Sequence, residues 1–307
     1  MRIIENDTQF QLHTPSAVAI GKFDGIHKGH KALLQMILEK KRQGMKAVVF
    51  TFEPSPLELF TGQIQQELTT REEKRVLFQN MGIDVLIEYP MTRESAAIAP
   101  ELFVKQILWT QMKAGFIAAG TDVSFGDKGS GDAALLYRLA KEYGYELEII
   151  DKIKDCDGRE ISSTYIRRQI AEGQMERVEA LMGDAYSITG TVAHGKKLGT
   201  KMGMPTVNLI PSKKKLLPPN GVYFSEVCYE ARCYKSITNI GYKPTVNDEK
   251  VIGVESYLYD FAQDIYGKDI TVKLFAFKRP EMKFQNVDEL KCQMAKDIAE
   301  GKYYKKE

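Results

Sequence analysis

Ala19-Ile20-Gly21-Lys22-Phe23-Asp24-Gly25-Ile26-His27-Lys28-Gly29-His30 decides how the first half of the chain folds. The apolar run over residues 17–20 reads as a strand, and Leu33, Leu34, Ile37 and Leu38 follow at helical spacing. Gly25 to His30 therefore sits on a strand-to-helix turn. Unpaired backbone N–H groups at a helix start carry partial positive charge and attract phosphate. Imidazoles beside them add hydrogen bonds and offset charge that builds on a phosphate in a transition state. The stretch points to nucleotide chemistry.

Outward from it, residues 17–150 alternate strand and helix. Strands are expected over 46–52, 85–89, 115–119 and 145–150. Thr70-Arg71-Glu72-Glu73 has capping-box spacing and opens a helix that Gly82 stops. A helix is expected over 100–113, with Leu102, Phe103, Ile107 and Leu108 as its inner face, and another from Asp132 to Gly144. This rhythm implies a mostly parallel sheet with helices on both faces, whose ligands bind beyond the carboxyl ends of the strands.

Two more stretches fit such a site. The glycine-dense loop Gly120-Thr121-Asp122-Val123-Ser124-Phe125-Gly126 leaves a strand, as a ligand loop or a plain flexible turn would. Ile161-Ser162-Ser163-Thr164-Tyr165-Ile166-Arg167 opens a helix with hydroxyls and an arginine one turn on, a phosphate clamp or a serine cap with solvated arginines.

The pattern changes near residues 183–187, after a helix expected over 163–182. Apolar and polar residues then alternate between turns, over 221–229, 233–240, 251–261 and 270–277, as in an antiparallel barrel or sandwich. A closing helix is expected with Asn286 as cap and Val287, Leu290, Met294 and Ile298 inward. The segment from Gly195 through Gly199 and Gly203 to Met204-Pro205-Thr206-Val207-Asn208 holds glycines and lysines before a Pro-Thr turn. Its amides and lysines suit phosphate, and the Thr206 and Asn208 side chains are hard oxygen ligands suited to Mg²⁺. No Walker A sequence is present. Pro-Thr-Val-Asn recurs at 244–247 without matching surroundings. Glu255, in an otherwise apolar strand, is either an inward general base or an outward residue of an alternating strand.

The chain has 307 residues, enough for two domains, with 43% hydrophobic residues and a formal net charge of +2. That balance argues against nucleic acid or an anionic membrane as a main partner. No apolar leader follows Met1 and no run nears the length of a membrane span. The four cysteines form no CxxC pair, and two of the four histidines are already in the opening stretch, which argues against zinc. Cys228 and Cys233 can face each other across a hairpin, but buried thiols in a reducing cytoplasm are the expectation. Lys213-Lys214-Lys215 reads as a solvated loop.

Taken together, the histidine stretch, the glycine loop and Ile161–Arg167 resemble the adenylyltransferase module of bacterial bifunctional FAD synthetases, within the nucleotidyltransferases that carry HxGH. Gly203-Met204-Pro205-Thr206-Val207-Asn208, Asn239-Ile240-Gly241-Tyr242 and Val254-Glu255 resemble the riboflavin kinase module. The resemblance implies an α/β, Rossmann-like nucleotidyltransferase domain over 1–183 and a six-stranded antiparallel β-barrel domain with a C-terminal helix over 184–307. It implies riboflavin, FMN and ATP as substrates, FAD as product, and Mg²⁺ with ATP. In the first domain His27 and His30 would be catalytic. Gly21, Phe23, Asp24, Gly25, Ser163, Thr164 and Arg167 would join them in binding ATP, and Asp122, Phe125 and Gly126 would line the nucleotide and flavin loop. In the second, Glu255 would be the base, Gly195, Gly199, Gly203, Pro205, Thr206 and Asn208 would bind ATP, and Thr206 and Asn208 would hold Mg²⁺. Ser55 and Tyr257 stand where the family often has histidine, and Val123-Ser124 where an aromatic and a polar or basic residue are common. A kinase with a weakened adenylyltransferase domain and a flavin-binding regulator are the alternative readings.

Overall fold

The computed structural model describes every residue except 64, 195–203, 244–250 and 307. Two compact units divide it, Met1–Ser162 and Ser163–Glu307.

The first unit is an α/β layer structure. Its sheet runs β1 (Arg2–Glu5), β4 (Val85–Pro90), β3 (Lys46–Glu53), β2 (Ser16–Ile20), β5 (Ala114–Gly120), β6 (Glu146–Ile150), every neighbour parallel. Near-continuous apolar strands are what a sheet buried on both faces requires. Ala17, Ala19, Val49 and Ala118 pack on one face with Leu33, Leu34 and Ile37 of α1 (Lys28–Arg42). Val18, Ile20, Phe50 and Ala119 pack on the other with Phe103, Leu108 and Leu136. Chain order turns back between β2 and β5, so a crevice opens beyond their carboxyl ends.

Helix α2 (Pro56–Thr61) follows β3, and α3 (Arg71–Met81) forms as the capping box predicts, ending at Gly82. After α4 (Arg93–Ala96), helix α5 (Pro100–Leu102) widens into i→i+5 bonding over Phe103–Gln111. Met112 N–H donates to Ile107 O at 2.9 Å in that wide turn. Residues spaced for 3.6 per turn no longer share a face there, so Leu102 is exposed while Phe103, Ile107 and Leu108 are buried. Helix α6 (Ala133–Tyr143) runs from the Asp132 cap to Gly144. The edge strand β1 and α2 were not expected from sequence pattern.

The second unit begins with two helices, not one. Gly173, at φ +72, breaks the expected run into α7 (Ser163–Ala171) and α8 (Met175–Met182). A closed antiparallel barrel follows in the order β10-β11-β8-β7-β12-β9. Its strands are β7 (Tyr186–Ala193), β8 (Thr206–Leu209), β9 (Gly221–Tyr229), β10 (Arg232–Lys243), β11 (Val251–Leu258) and β12 (Asp269–Pro280). The expected Pro-Thr turn is instead the start of β8. Inside the barrel, Ile188, Val227, Val254 and Val272 surround Ser225, Ser236, Thr238 and Ser256. Those buried hydroxyls bond one another at 2.7–2.8 Å, as burial demands.

Helix α9 (Val287–Tyr303) is capped by Asn286 Oδ1, which accepts from Glu289 N–H at 2.9 Å. Leu290, Met294 and Ile298 turn toward the barrel, whereas Val287, at the first helical position, is exposed. Cys228 and Cys233 are not buried thiols. They sit directly opposite each other beside the β9–β10 turn and form a disulfide. Lys215 is buried, its ammonium 4.4 Å from the centre of the Tyr186 ring, so only part of the lysine run is a solvated loop.

Candidate active sites

In the first unit, the turn between β2 and α1 holds an unusual backbone. Phe23, Gly25 and Ile26 all have positive φ, at 51°, 90° and 38°. A β-branched residue there is a genuine outlier, a kind of strain that clusters at functional sites. Asp24 locks the turn from below: its buried Oδ1 accepts from Leu68 N–H at 2.8 Å and Thr69 N–H at 3.4 Å. A Cβ on Gly25 would lie 2.8 Å from Leu68, so side chain and φ both exclude other residues. Phe23 is fully buried beneath the turn.

His27 caps α1, its Nδ1 accepting from His30 N–H at 3.4 Å. The two imidazoles stack at 3.8 Å and 18°. The Gly29 Cβ position lies 3.2 Å from His27 Cε1, so the residue between the histidines must be small for the rings to stack. Burial pushes His27 down to about 4, partly offset by Asp24 and Asp122. Burial first, then the electrostatics of the neighbouring His27 and Lys74, push His30 well below the ordinary histidine range. Both rings are thus neutral near pH 7, and the bond accepted at His27 Nδ1 leaves its proton on Nε2.

Beyond the strand ends lies a cavity of about 430 Å³ lined by Gly21, Lys22, His30, Thr51, Ser55 and Asp122. A second, of about 680 Å³, is lined by Phe52, Met91, Arg93, Phe125, Gly126 and Asp127. Phe52 and Ser124 border both. Gly21, His30 and Asp122 therefore reach the first cavity, and Phe125 and Gly126 the second. Phe23, Asp24 and Gly25 shape the turn from beneath. Asp122 also pairs with Lys152 at 3.3 Å. Ser163, Thr164 and Arg167 stand in the opening turns of α7, in the other unit. Lys22 follows β2, and Thr51 and Ser55 lie at the end of β3; Lys22 and Thr51 were not picked out as cavity residues from sequence.

In the second unit, β11 pairs with β8 so that Glu255 lies opposite Asn208 and Tyr257 opposite Thr206. Thr206 Oγ1 donates to Glu255 Oε1. Glu255 neither enters the barrel nor faces open water. It lines a cavity of about 320 Å³ between the barrel's outer wall and α9, with Thr206, Asn239, Tyr257, Arg279 and Met294. Arg279 is held there by Asp297, with Nη2 2.6 Å from Oδ2 and Nε 3.1 Å from both oxygens. Asp297 is only 3% exposed, so this charge-assisted fork fixes α9 against β12. Neither Arg279 nor Asp297 was singled out from sequence.

Thr206 also lines a neighbouring cavity of about 280 Å³, with Pro205, Val207, Phe261, Asp264 and Tyr266. Thr206 thus stands between two cavities with a carboxylate beside it. Asn208 is buried on the same side of β8. Thr206 and Asn208 offer oxygen ligands next to a carboxylate, a set suited to a hard cation. Among the described residues no cluster of three or more His, Cys, Asp or Glu could hold a metal. Gly195, Gly199 and Gly203 lie outside the described residues, as does the repeat at 244–247.

Against known proteins, the FAD synthetase family matches residues 9–165 and the riboflavin kinase family residues 182–304. The bifunctional riboflavin kinase/FMN adenylyltransferase of Escherichia coli strain K12 is 36% identical over 91% of this chain and 90% of its own length. The protein of the same name from Listeria monocytogenes is 34% identical over 91% and 89%. A crystal structure described as a macrolide-efflux protein of Streptococcus pneumoniae superposes with a TM-score of 0.81 at 28% identity, covering 99% of both chains.

Proposed function

The chain belongs to the bifunctional riboflavin kinase/FMN adenylyltransferase family, and on that premise we propose which residues carry each of its two reactions. It phosphorylates riboflavin with ATP to FMN, then adenylylates FMN with a second ATP to FAD and pyrophosphate. We assign residues 1–183 to the second reaction and 184–307 to the first.

For phosphorylation, riboflavin takes the cavity under α9, where apolar side chains suit a flat aromatic ring. Its 5′-hydroxyl meets Glu255, which accepts the proton as the oxygen attacks the γ-phosphorus of ATP. ATP takes the neighbouring cavity, and Thr206 links the two. Thr206 and Asn208 hold Mg²⁺ that arrives with ATP; when bound, it neutralises phosphate charge in a reaction that depends mainly on positioning and electrostatics. Gly195, Gly199, Gly203 and Pro205 complete the nucleotide site through backbone approach. The observation that carries this reading is the Thr206–Glu255 hydrogen bond at the junction of two cavities.

For adenylylation, the FMN phosphate attacks the α-phosphorus of ATP and pyrophosphate leaves. Neutral His27 and His30 donate hydrogen bonds to the ATP phosphates as charge develops, beside the amides of the α1 start. No covalent nucleotidyl-enzyme is needed, because the FMN phosphate is itself the nucleophile. Gly21, Phe23, Asp24 and Gly25 shape the phosphate turn. Asp122, Phe125 and Gly126 line the nucleotide and flavin loop, and Ser163, Thr164 and Arg167 are further phosphate ligands. Small flavins and ATP are the partners, rather than nucleic acid or membrane, and the cytoplasm is the compartment. Among the described residues no helix is long and apolar enough to cross a membrane.

Chromatography of products tests the pair of reactions. Riboflavin with ATP and Mg²⁺ should give FMN and then FAD, and FMN as sole flavin should give FAD. FMN that accumulates without FAD, even with excess ATP and pyrophosphatase, would reject the adenylyltransferase assignment.

A further inference from the structure

Beside the histidine turn stands a cation that neither reaction above employs. Gly21 N–H still bonds Phe50 O at 3.2 Å, and Lys22 comes next, where β2 ends at the switch between β2 and β5. Phe23 follows, fully buried at φ 51°, so the backbone that carries Lys22 is pinned on both sides. The Lys22 side chain is exposed and lines the cavity of about 430 Å³ that His30, Ser55 and Asp122 also line. Its Nζ donates to Gln65 Oε1 at 3.0 Å, in the loop between α2 and α3. That partner is a neutral amide, so the ammonium charge is left for an anion to answer.

The chemistry of the cavity needs such a group. Its charged lining residues are Lys22 and Asp122, and Asp122 already pairs with Lys152 at 3.3 Å. The imidazoles are neutral, so they offer hydrogen bonds but no net charge. Adenylyl transfer, however, brings two anions together. An oxygen of the FMN phosphate bonds to the α-phosphorus of ATP, the bond from that phosphorus to the oxygen bridging to the β-phosphorus breaks, and pyrophosphate leaves with the electron pair. A phosphate monoester carries a charge of about −1.5 to −2 at pH 7. The larger cavity, of about 680 Å³, has Phe52, Met91 and Phe125 to receive a flat ring, and it meets the smaller one at Phe52 and Ser124. A flavin seated there sends its phosphate across that border, into the cavity that Lys22 lines. We infer that Lys22 receives the flavin phosphate: its ammonium exchanges Gln65 for an oxygen of that phosphate and offsets the repulsion between it and the ATP phosphates at the histidine turn. The inference rests on the assignment of adenylyl transfer to this unit and of ATP to that turn.

The test uses the full chain with FMN and ATP as substrates, so that the kinase site has no riboflavin to phosphorylate. Lys22→Met removes the charge at similar length, and Lys22→Arg keeps it. In Lys22→Met the KM for FMN should rise roughly tenfold, the loss of one charge-assisted hydrogen bond, while the KM for ATP stays within about twofold. Added salt should raise the KM for FMN in the wild type and have less effect in Lys22→Met, because the screened pair is gone. Lys22→Arg should bring both readouts back toward the wild type. A urea melt read from Trp109, in the same unit, should match the wild type, since the replaced side chain is exposed. Should the melt show Lys22→Met unfolded, Lys22→Gln carries the same readouts. An unchanged KM for FMN in the neutral variants, or an equal rise for ATP, would overturn the inference. If the wild type makes no FAD from FMN, the reading of the site itself fails and the inference falls with it.

Discussion

The two halves build their phosphate chemistry from opposite materials. In the α/β unit the proposed reactive groups, His27 and His30, lie three residues apart in sequence beside one strained turn, as buried imidazoles pushed toward neutrality. In the barrel they come from separate strands, and their identity depends on register: Thr206 and Asn208 of β8 meet Glu255 only because β11 pairs where it does. An open sheet gathers a site at the switch point, where one turn can present several residues at once. A closed barrel has no such crevice, and the proposed site is a cavity on its outer wall that α9 covers. The first site is therefore sensitive to the backbone of one loop, and the second to the docking of one helix.

If the halves work separately, damage to one should leave the other's reaction intact. The largest effect is expected for Glu255→Gln, which keeps size and polarity but removes the proton acceptor. FMN formation should fall by about 10²–10⁴-fold, with FAD formation from supplied FMN unchanged, in a coupled assay of each step. Asp297→Asn sharpens the contrast, since it weakens the fork that holds Arg279 and α9. The KM for riboflavin should rise about tenfold, the worth of one weakened charge-assisted bond, and adenylylation should not respond.

Acid should act unevenly. Folded His27 takes a proton only near pH 4, whereas in the unfolded chain it does so near 6.5. Between those values the unfolded state binds more protons, so the first unit should lose stability as pH falls from 6.5 to 4. Trp109, the single tryptophan, lies in that unit, and its fluorescence in urea melts reads the loss. His27→Gln should flatten the dependence. The smallest effects belong to the two helix caps. Thr70→Ala and Asn286→Ala should each cost about 1 kcal/mol, in the unit that holds them. A tryptophan-detected urea melt should register the first substitution and not the second.

Much of this architecture was legible because it rests on local rules. The Thr70 box, the Asp132 and Asn286 caps and the glycines at 82 and 144 mark helix ends that the structure reproduces. What escaped depends on departures from those rules. Leu102 faces solvent because the helix widens just after it, and Gly173 cuts a run whose apolar spacing continues across the break. Strand β8 is four residues long and begins beside a proline, so it carries little pattern of its own. Glu255 was ambiguous for a different reason. Alternation separates two faces of a strand, but not an outer wall covered by a helix from one left in water. The Cys228–Cys233 pair needed the hairpin register before its bond could be read. Arg279 and Asp297 required tertiary packing, since neither lies in a motif.

The separation of two reactions between two sites is tested most directly by His27→Ala, supplied with riboflavin, ATP and Mg²⁺ and followed by chromatography of the flavins. The account predicts FMN formation at the wild-type rate and FAD formation reduced by at least about a hundredfold. Equal loss of both products, or FAD formed at the wild-type rate, would contradict it.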